Sequence, residues 1–233
     1  MAETVNEAEK KAEVKKGVVI EFDFAAMNGA EILYRVTDAV MKADGVDFNP
    51  RVEAQYLAGG NYQGAIAEYF AEVKTKKTAA KAAKDISEAF GRALVEAVPK
   101  AVTPAFEAFV KALAEKDVRV VIATRANLEQ VQPAFERVLG ENVVLFQETA
   151  QTYGSVKWDA WRRACAMNKM KNVMTVAVTG SGFGVKSALL AGLGALAVIN
   201  DRVAYQDFGG ADDVVKTLDA AAAKIVLSML KIS

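Results

Sequence analysis

The side chains in this sequence that could support chemistry lie near the ends of short apolar runs. Asp23 lies near the end of KGVVIEFDF, Thr124 and Arg125 follow VRVVIA, and the turn Thr179-Gly180-Ser181 follows NVMTVAV. A carboxylate can act as a nucleophile or as a general acid–base. Hydroxyls, a guanidinium and the backbone amides of a helix N-terminus can hold an anion. These residues predict carboxylate chemistry, anion binding, or both.

The composition removes several other kinds of chemistry. The chain has 233 residues, no histidine, one cysteine, and 29 basic against 29 acidic side chains. Histidine-based triads and histidine-ligated zinc are therefore excluded, and the zero net charge argues against a nucleic-acid partner. A single cysteine excludes an internal disulfide and suits a reducing compartment.

Cys165 lies among apolar neighbours in a predicted helix, which predicts a buried hydrophobic residue and no nucleophile. Trp158 and Trp161, one helical turn apart, are expected to pack in the core.

Signals for targeting and for the membrane are missing from the sequence. Residues 1–16 alternate acidic and basic side chains without the apolar segment of a signal peptide, which predicts a charged N-terminal extension. The longest apolar run, Ala188 to Ile199, is short against the roughly 20 residues that span a bilayer. We therefore expect a cytoplasmic protein with no membrane partner.

The order of predicted elements indicates an α/β fold with a helical insert. A buried strand ending near Asp23 is followed by a helical pattern over residues 29–98, in the segments AEILYRVTDAVMKADG, GAIAEYFAEVKTKK and ISEAFGRALVEAV. From Pro99 onward, the strands VRVVIAT, NVVLFQ, NVMTVAV and GALAVIN alternate with helices. This alternation predicts a Rossmann-like parallel sheet core (17–28 and 99–233) carrying an α-helical cap (29–98).

The helices of the predicted core have recognisable limits. Thr103 is expected as an N-cap with Pro104 in the first helical position. Further helices are predicted over 127–139 and 156–170, near Phe183, and from Asp212 towards the end. In a parallel sheet of this kind, ligands bind beyond the carboxyl ends of the strands. The residues named at the outset are therefore expected at one edge of the sheet.

An ordered set of motifs resembles a known superfamily. The segments FDFAAMNGAEILYRV, IATRA, GSVKWDAW and VAVTGSGFGVKSALLAGLGALAV are similar to motifs of the haloacid dehalogenase (HAD) superfamily, in the same order. The similarity is greatest to the branch with an α-helical cap, which includes β-phosphoglucomutase-like and phosphoglycolate-phosphatase-like enzymes. LAGGNYQGAIAEYF resembles the loop and helix of that cap, and the resemblance extends over residues 17–223.

The resemblance implies a mechanism of phosphoryl transfer to an aspartate at the end of the first strand. In that family a second aspartate, two residues later, is the general acid–base, and acidic residues after the fourth strand hold Mg²⁺. By this resemblance, Asp23 matches the nucleophile, Thr124 the phosphate-binding hydroxyl and Lys157 the motif lysine. Ala25 then stands where the second aspartate belongs.

The turn Thr179-Gly180-Ser181 lacks the metal-binding carboxylate, and Asp201 is the nearest acidic residue after it. These departures predict a catalytically impaired phosphatase homologue. Substituting aspartate for Ala25 and Gly180 is then expected to restore turnover.

The leading hypothesis is a protein that acts by binding a phosphorylated or carboxylate small molecule, or a protein partner, without a cofactor. The predicted anion site comprises Thr124, Arg125, Lys157 and the amides of Gly180 and Ser181. Arg125 alone is more typical of a surface charge, and Asp23 is also consistent with a structural ion pair to Lys157. An active HAD hydrolase that uses Asp23 and Mg²⁺ is one alternative, and an interaction subunit with a vestigial pocket is another.

Two further interpretations concern the cap and the glycine-rich turn. Residues expected to select a ligand, or simply to pack within the cap, are Arg51, Gln55, Tyr56, Asn61 and Tyr62. The glycine-rich turn resembles that of short-chain dehydrogenases, with Asp201 placed for a ribose and Tyr153 and Lys157 spaced as YxxxK. However, Lys186 replaces the last glycine, and the tyrosine and lysine precede the turn. Both departures argue against nucleotide binding.

Overall fold

The computed structural model describes residues 15–57, 62–73, 75, 77–148 and 158–233. Within these residues, six strands form one sheet in the order β3-β2-β1-β4-β5-β6, and every neighbouring pair is parallel. The strands are β1 (Lys15–Glu21), β2 (Arg119–Thr124), β3 (Val143–Gln147), β4 (Met170–Thr179), β5 (Gly194–Val198) and β6 (Asp213–Val215). The predicted parallel α/β core is confirmed.

The apolar runs of the sequence become strands because both faces of this sheet are covered. Val18, Val19 and Ile20 of β1 are fully buried. Val18 and Ile20 belong to the hydrophobic cluster on one face, and Val19 belongs to the cluster on the other. A parallel sheet buried on both faces produces this kind of continuous hydrophobic run, without alternation.

The helical insert lies between β1 and β2, as the sequence predicts. Its elements are α2 (Gly29–Ala43), α3 (Pro50–Val52), a π-helical turn (Glu53–Leu57), α4 (Tyr62–Val73) and α5 (Ala79–Ala101). Helix α5 continues through Pro99 and ends three residues after the predicted limit of the cap. A short helical turn, α1 (Phe22–Ala25), connects β1 to this insert.

The remaining helices cover the sheet. They are α6 (Pro104–Ala114), α7 (Leu128–Val131) with a 3₁₀ turn (Gln132–Phe135), α8 (Trp158–Met167), α9 (Gly182–Leu190) and α10 (Ala220–Met229). The hydroxyl of Thr103 accepts a hydrogen bond from the amide of Phe106, and Pro104 is the first helical residue, so the predicted N-terminus of α6 is confirmed. No helix in the described ranges is long and apolar enough to cross a membrane.

Two predicted helices after β2 are shorter in the structure. The helix predicted over 127–139 becomes the short α7 and the 3₁₀ turn that contains Pro133, a residue without an amide donor. The helix predicted over 156–170 ends at Met167, and Lys169 then adopts a φ of 56°, outside the helical range.

The helix predicted from Asp212 begins later, because this part of the chain first pairs with the sheet. The amide of Asp212 donates to the carbonyl of Ala195, and the Asp212 carboxylate accepts from the Ala195 amide. The strand β6 follows, and α10 begins only after Asp219, whose carboxylate caps the helix.

Candidate functional site

The strand register brings three polar side chains together at the carboxyl edge of the sheet. β1 lies between β2 and β4, with Glu21 opposite Ala123 and Ile20 opposite Val178. The residues that follow these partners are Thr124 and Thr179, the last residues of their strands. Glu21, Thr124 and Thr179 therefore meet because three neighbouring parallel strands end at one level.

The strand predicted to end near Asp23 ends at another acidic residue, Glu21. Asp23 lies two residues later, in the helical turn α1. A single helical turn carries Asp23 back over the ends of the strands, so both carboxylates face the same site. Both residues are fully buried.

The Asp23 carboxylate is held by the segment that follows β2. The hydroxyl of Thr124 donates to Asp23 Oδ1 at 2.6 Å, and the backbone amide of Arg125 donates to Oδ2 at 2.8 Å. The Thr124 oxygen in turn accepts from the amide of Ala126 at 3.1 Å. Thr124 thus orients Asp23, and its hydroxyl proton is already used within the chain.

Arg125 is buried, which corrects the expectation of a surface charge. Its side chain is only 8% exposed, and its guanidinium lies 5.3 Å from the centre of the Phe24 ring. Nη2 lies 3.4 Å from Glu21 Oε1, and Nη1 lies 3.5 Å from Asp23 Oδ2. One guanidinium therefore stands between the two carboxylates and is attracted to both.

The environment of the site raises the pKa of both carboxylic acids. Burial raises the pKa of Glu21 to about 7, although the positive charge of Arg125 and the hydrogen bond from the Thr179 hydroxyl both act to lower it. Burial also raises the pKa of Asp23, against the opposing effects of Arg125 and Thr124. At neutral pH, Glu21 is therefore divided between its neutral and ionised forms.

The predicted anion-binding turn after β4 is packed against the site and has little room. A Cβ atom at Gly180 would lie 2.0 Å from the carbonyl oxygen of Phe24, and one at Gly184 would lie 1.9 Å from the Thr179 hydroxyl oxygen. The hydroxyl of Ser181 accepts from the amide of Gly184 at 3.0 Å and caps α9. Gly180 and Ser181 thus serve close packing and helix capping.

The residues present do not fit the Mg²⁺ ion that the HAD resemblance implies. Mg²⁺ requires about six oxygen ligands in octahedral geometry, usually including carboxylates. No group of three or more histidine, cysteine, aspartate or glutamate side chains is placed to hold a metal ion in the part of the chain that the structure describes. The space between Glu21 and Asp23 is instead approached by the Arg125 guanidinium.

Several predicted site residues lie elsewhere or outside the described residues. Lys157 and Asn61 are outside them, as is the side chain of Tyr62. Arg51 and Gln55 are exposed on the insert, and the Tyr56 ring packs 5.4 Å from the ring of Tyr69 within the insert. The packing alternative is therefore the one observed for Tyr56.

An arginine that the sequence did not single out joins the insert to the core. Arg202, in the turn after β5, lies 3.2 Å from Glu31 of α2 and forms an ion pair with Glu53 of the π-helical turn. Its guanidinium also lies 4.4 Å from the centre of the Tyr34 ring. Asp201, beside it, is exposed. These contacts hold the insert against the loop that follows β5.

The expectations for Cys165 and Trp161 are confirmed. Both side chains are fully buried on the face of the sheet covered by α8 and α9. Burial raises the pKa of the Cys165 thiol to about 11, so the reactive thiolate is scarce at neutral pH. The indole of Trp161 donates to the Ser187 hydroxyl at 2.8 Å. The side chain of Trp158 lies outside the described residues.

Glu21 is the site residue that sequence reasoning missed. Its signal was present, because an acidic side chain interrupts an apolar run that is otherwise typical of a buried strand. A carboxylate inside such a run must find a counter-charge or hydrogen-bond donors. Arg125 and Thr179 provide them, but they are distant in the sequence, and only the sheet register brings them to Glu21.

The raised pKa of Glu21 predicts how stability depends on pH. The folded protein binds this proton more tightly than the unfolded chain, so the contribution is complete below about pH 4.5 and is lost as pH rises through about 7. In the wild type, this titration should lower the free energy of unfolding by an amount on the order of 3 kcal/mol as pH rises through this range. Glu21→Gln has no carboxyl group at this position, so we expect that loss of stability to be absent from the variant. Urea denaturation across this pH range measures the difference.

Thr179→Val is the matched control for this titration. It removes a hydrogen bond that lowers the pKa of Glu21, so the loss of stability should shift to higher pH while remaining present. Parallel pH profiles for the wild type and Glu21→Gln would contradict a raised pKa at Glu21.

The close approach at Gly180 predicts a large effect of a single methyl group. Gly180→Ala forces the Phe24 carbonyl to move and should lower the free energy of unfolding by about 3 kcal/mol. Gly91→Ala is the control, because a Cβ at Gly91 in α5 meets no atom within 4 Å and should stabilise the helix by about 0.5–1 kcal/mol. Thermal or urea unfolding of the two variants measures both effects.

The same contact argues against the sequence-based expectation that carboxylates at Ala25 and Gly180 restore turnover. An aspartate at Gly180 meets the Phe24 backbone before its carboxylate can reach the site. We therefore expect the Ala25→Asp, Gly180→Asp protein to be destabilised and inactive.

Comparison with known proteins identifies the fold. No protein-family model and no curated protein sequence matches this chain. Among solved structures, CbbY from Rhodobacter sphaeroides in complex with phosphate has a TM-score of 0.64 and 17% identity, over 94% of this chain and 100% of CbbY. A β-phosphoglucomutase from Clostridium difficile has a TM-score of 0.70 and 8% identity, over 93% of this chain and 97% of the other.

A second structure of CbbY, that of a mutant, contains xylulose-(1,5)bisphosphate and has a TM-score of 0.62 with 16% identity, over 88% of this chain and 95% of CbbY. Identities this low establish the fold alone. The chain therefore has the fold of the HAD-like superfamily, in the form that carries a helical cap between the first and second strands.

Proposed function

We propose that this chain is a HAD-fold protein that binds a phosphate-bearing small molecule without hydrolysing it. The observation that carries the proposal is that both carboxylates are already paired with other residues of the chain. Glu21 contacts Thr179 and Arg125, while Asp23 contacts Thr124 and Arg125. All four carboxylate oxygens therefore have partners, and neither residue is exposed.

The contact between Asp23 and Thr124 supports the correspondence with the family motif. The resemblance implies a nucleophilic aspartate at the end of the first strand and an acid–base aspartate two residues later. Asp23 lies in the turn that directly follows β1, and its carboxylate accepts a hydrogen bond from Thr124, the hydroxyl that the resemblance assigns to phosphate binding, so we infer that Asp23 occupies the nucleophile position. The second position is then Ala25, which carries no carboxylate, and Glu21 is an additional buried acid two residues before Asp23.

This correspondence still argues against efficient turnover. A nucleophile must approach the phosphorus atom closely, but Asp23 is buried, accepts two hydrogen bonds and faces a guanidinium. The acid–base position holds Ala25, which has no proton to deliver to a leaving group. The loss of general acid catalysis alone costs about 10²–10⁴ in rate.

The capacity to bind an anion is supported by Arg125. Its buried Nε group has no hydrogen-bond acceptor among the described residues, and Nη1 reaches only the Asp23 carboxylate, at 3.5 Å. Buried donors of this kind favour an acceptor, and a phosphate oxygen forms strong, charge-assisted bonds with a guanidinium. The phosphate and xylulose bisphosphate bound by CbbY are consistent with a phosphorylated ligand.

The protonation of Glu21 sets the charge that such a ligand would meet. With Asp23 ionised, the group formed by Glu21, Asp23 and Arg125 is neutral when Glu21 is protonated and carries one negative charge when Glu21 is ionised. Since the pKa of Glu21 is about 7, anion binding should weaken as pH rises through neutrality.

The absence of turnover is the first test of this proposal. We expect no hydrolysis of p-nitrophenyl phosphate or of a panel of sugar phosphates, with or without MgCl₂, and no change with Glu21→Gln or Asp23→Asn. Phosphate release measures the result. Turnover that either substitution abolishes would establish an active hydrolase and overturn the proposal.

The pH dependence of anion binding is the second test. Sulfate is a suitable probe because its charge does not change near neutrality. We expect about tenfold tighter sulfate binding below the pKa of Glu21 than above it, measured by the shift in melting temperature. Glu21→Gln should remove this pH dependence while keeping the binding. If sulfate and phosphate bind at neither pH, a binding function at this site is contradicted.

A further inference from the structure

Two carboxylates buried side by side require a positive charge. Glu21 and Asp23 are fully buried, and like charges at close range in a low-dielectric site repel strongly. In the fold family, the resemblance assigns this role to Mg²⁺. In this chain, the positive group at the carboxylates is the Arg125 guanidinium, 3.4 Å from Glu21 Oε1 and 3.5 Å from Asp23 Oδ2.

The oxygen atoms around the carboxylates already take part in hydrogen bonds within the chain. The Thr179 hydroxyl donates to Glu21, the Thr124 hydroxyl donates to Asp23, and the Ser181 hydroxyl accepts from the Gly184 amide. Gly180 contributes no side chain and lies against the Phe24 carbonyl. A divalent ion would therefore have to displace both the guanidinium and these hydrogen bonds.

We propose that Arg125 is the resident cation of this site: its guanidinium takes the electrostatic place of the divalent metal and excludes a metal ion from the carboxylate pair. The inference rests on the same site as the proposed function and specifies which charge the site uses. Because the cation is part of the chain, it cannot dissociate, and the site is complete without any metal in solution.

Three contacts make arginine suited to this place. Its backbone amide is anchored on Asp23 Oδ2 at 2.8 Å, its planar guanidinium lies over the Phe24 ring, and two of its nitrogens reach two different carboxylates. A lysine ammonium is a single point charge and cannot present this divided geometry.

The proposal predicts that removing the guanidinium creates a metal site. In Arg125→Ala, the two carboxylates lose their counter-charge and face a vacated space open to a cation and its water ligands. We expect this variant to have a lower melting temperature in EDTA and to recover it with MgCl₂ or MnCl₂, with a metal affinity at least about tenfold above that of the wild type.

The experiment follows the melting temperature of both proteins in EDTA and in increasing MnCl₂, with NaCl at equal ionic strength as the reference. Bound Mn²⁺ is measured directly by electron paramagnetic resonance. Arg137→Ala is the matched control, because Arg137 is 79% exposed and pairs with Glu107 at the surface, so its removal should create no dependence on metal.

Several results would overturn the resident-cation proposal. They are stoichiometric Mn²⁺ binding by the wild type, a loss of wild-type stability in EDTA, or a folded Arg125→Ala that takes up no metal. If Arg125→Ala unfolds in EDTA, refolding in MnCl₂ decides the question, since the proposal requires recovery. Hydrolysis without metal would overturn the proposed function alone, whereas metal uptake by an inactive wild type would overturn this inference alone.

Discussion

Burying two neighbouring carboxylates is costly, and the edge of the sheet in this protein is arranged around meeting that cost. Glu21 and Asp23 each bring a carboxyl group into a site shielded from bulk solvent by the fold, where an unpaired charge is strongly unfavourable. Arg125 supplies the opposite charge, and Thr124 and Thr179 supply hydrogen bonds. Even with these partners, burial dominates the pKa of Glu21, so the site is close to the balance between its neutral and ionised states.

The backbone next to the two carboxylates is closely packed. The turn after β4 carries glycine at 180 and 184, and the packing of both positions leaves no space for a side chain. The Phe24 carbonyl and the Thr179 hydroxyl approach into the space that a Cβ would fill. The turn after β4 is therefore fixed by close packing, and a carboxylate substituted at either glycine would meet the Phe24 carbonyl or the Thr179 hydroxyl first.

The helical insert is positioned by a different arginine. Arg202 contacts Glu31 and Glu53 on the insert and lies over the ring of Tyr34, so it holds the loop after β5 against the insert. Arg125 and Arg202 thus divide two tasks, since one neutralises the core of the site and the other holds the cap. Both depend on partly or fully buried ion pairs, in which the loss of one partner leaves an uncompensated charge.

The sequence by itself determined the architecture of this protein. Short apolar runs rich in β-branched residues predicted the strands, and helical spacing of apolar residues predicted the insert. Thr103 with Pro104 predicted the start of α6. These predictions succeeded because the signals are local in the sequence. Local signals also limited the predictions. Pairing of Asp212 with Ala195 replaced the start of the last predicted helix, since contact with β5 outweighed the helical pattern.

Only the tertiary structure decided the chemistry of the site. Three features decided it: β1 ends at Glu21, Arg125 is buried, and Gly180 lies against the Phe24 carbonyl. The last two depend on contacts between residues that are far apart in the chain. Whether an arginine is a surface charge or the counter-ion of two carboxylates depends on burial and register, which no run of neighbouring residues specifies. The physical reason is that electrostatic pairing acts through space, whereas the periodicity that predicts strands and helices acts along the chain.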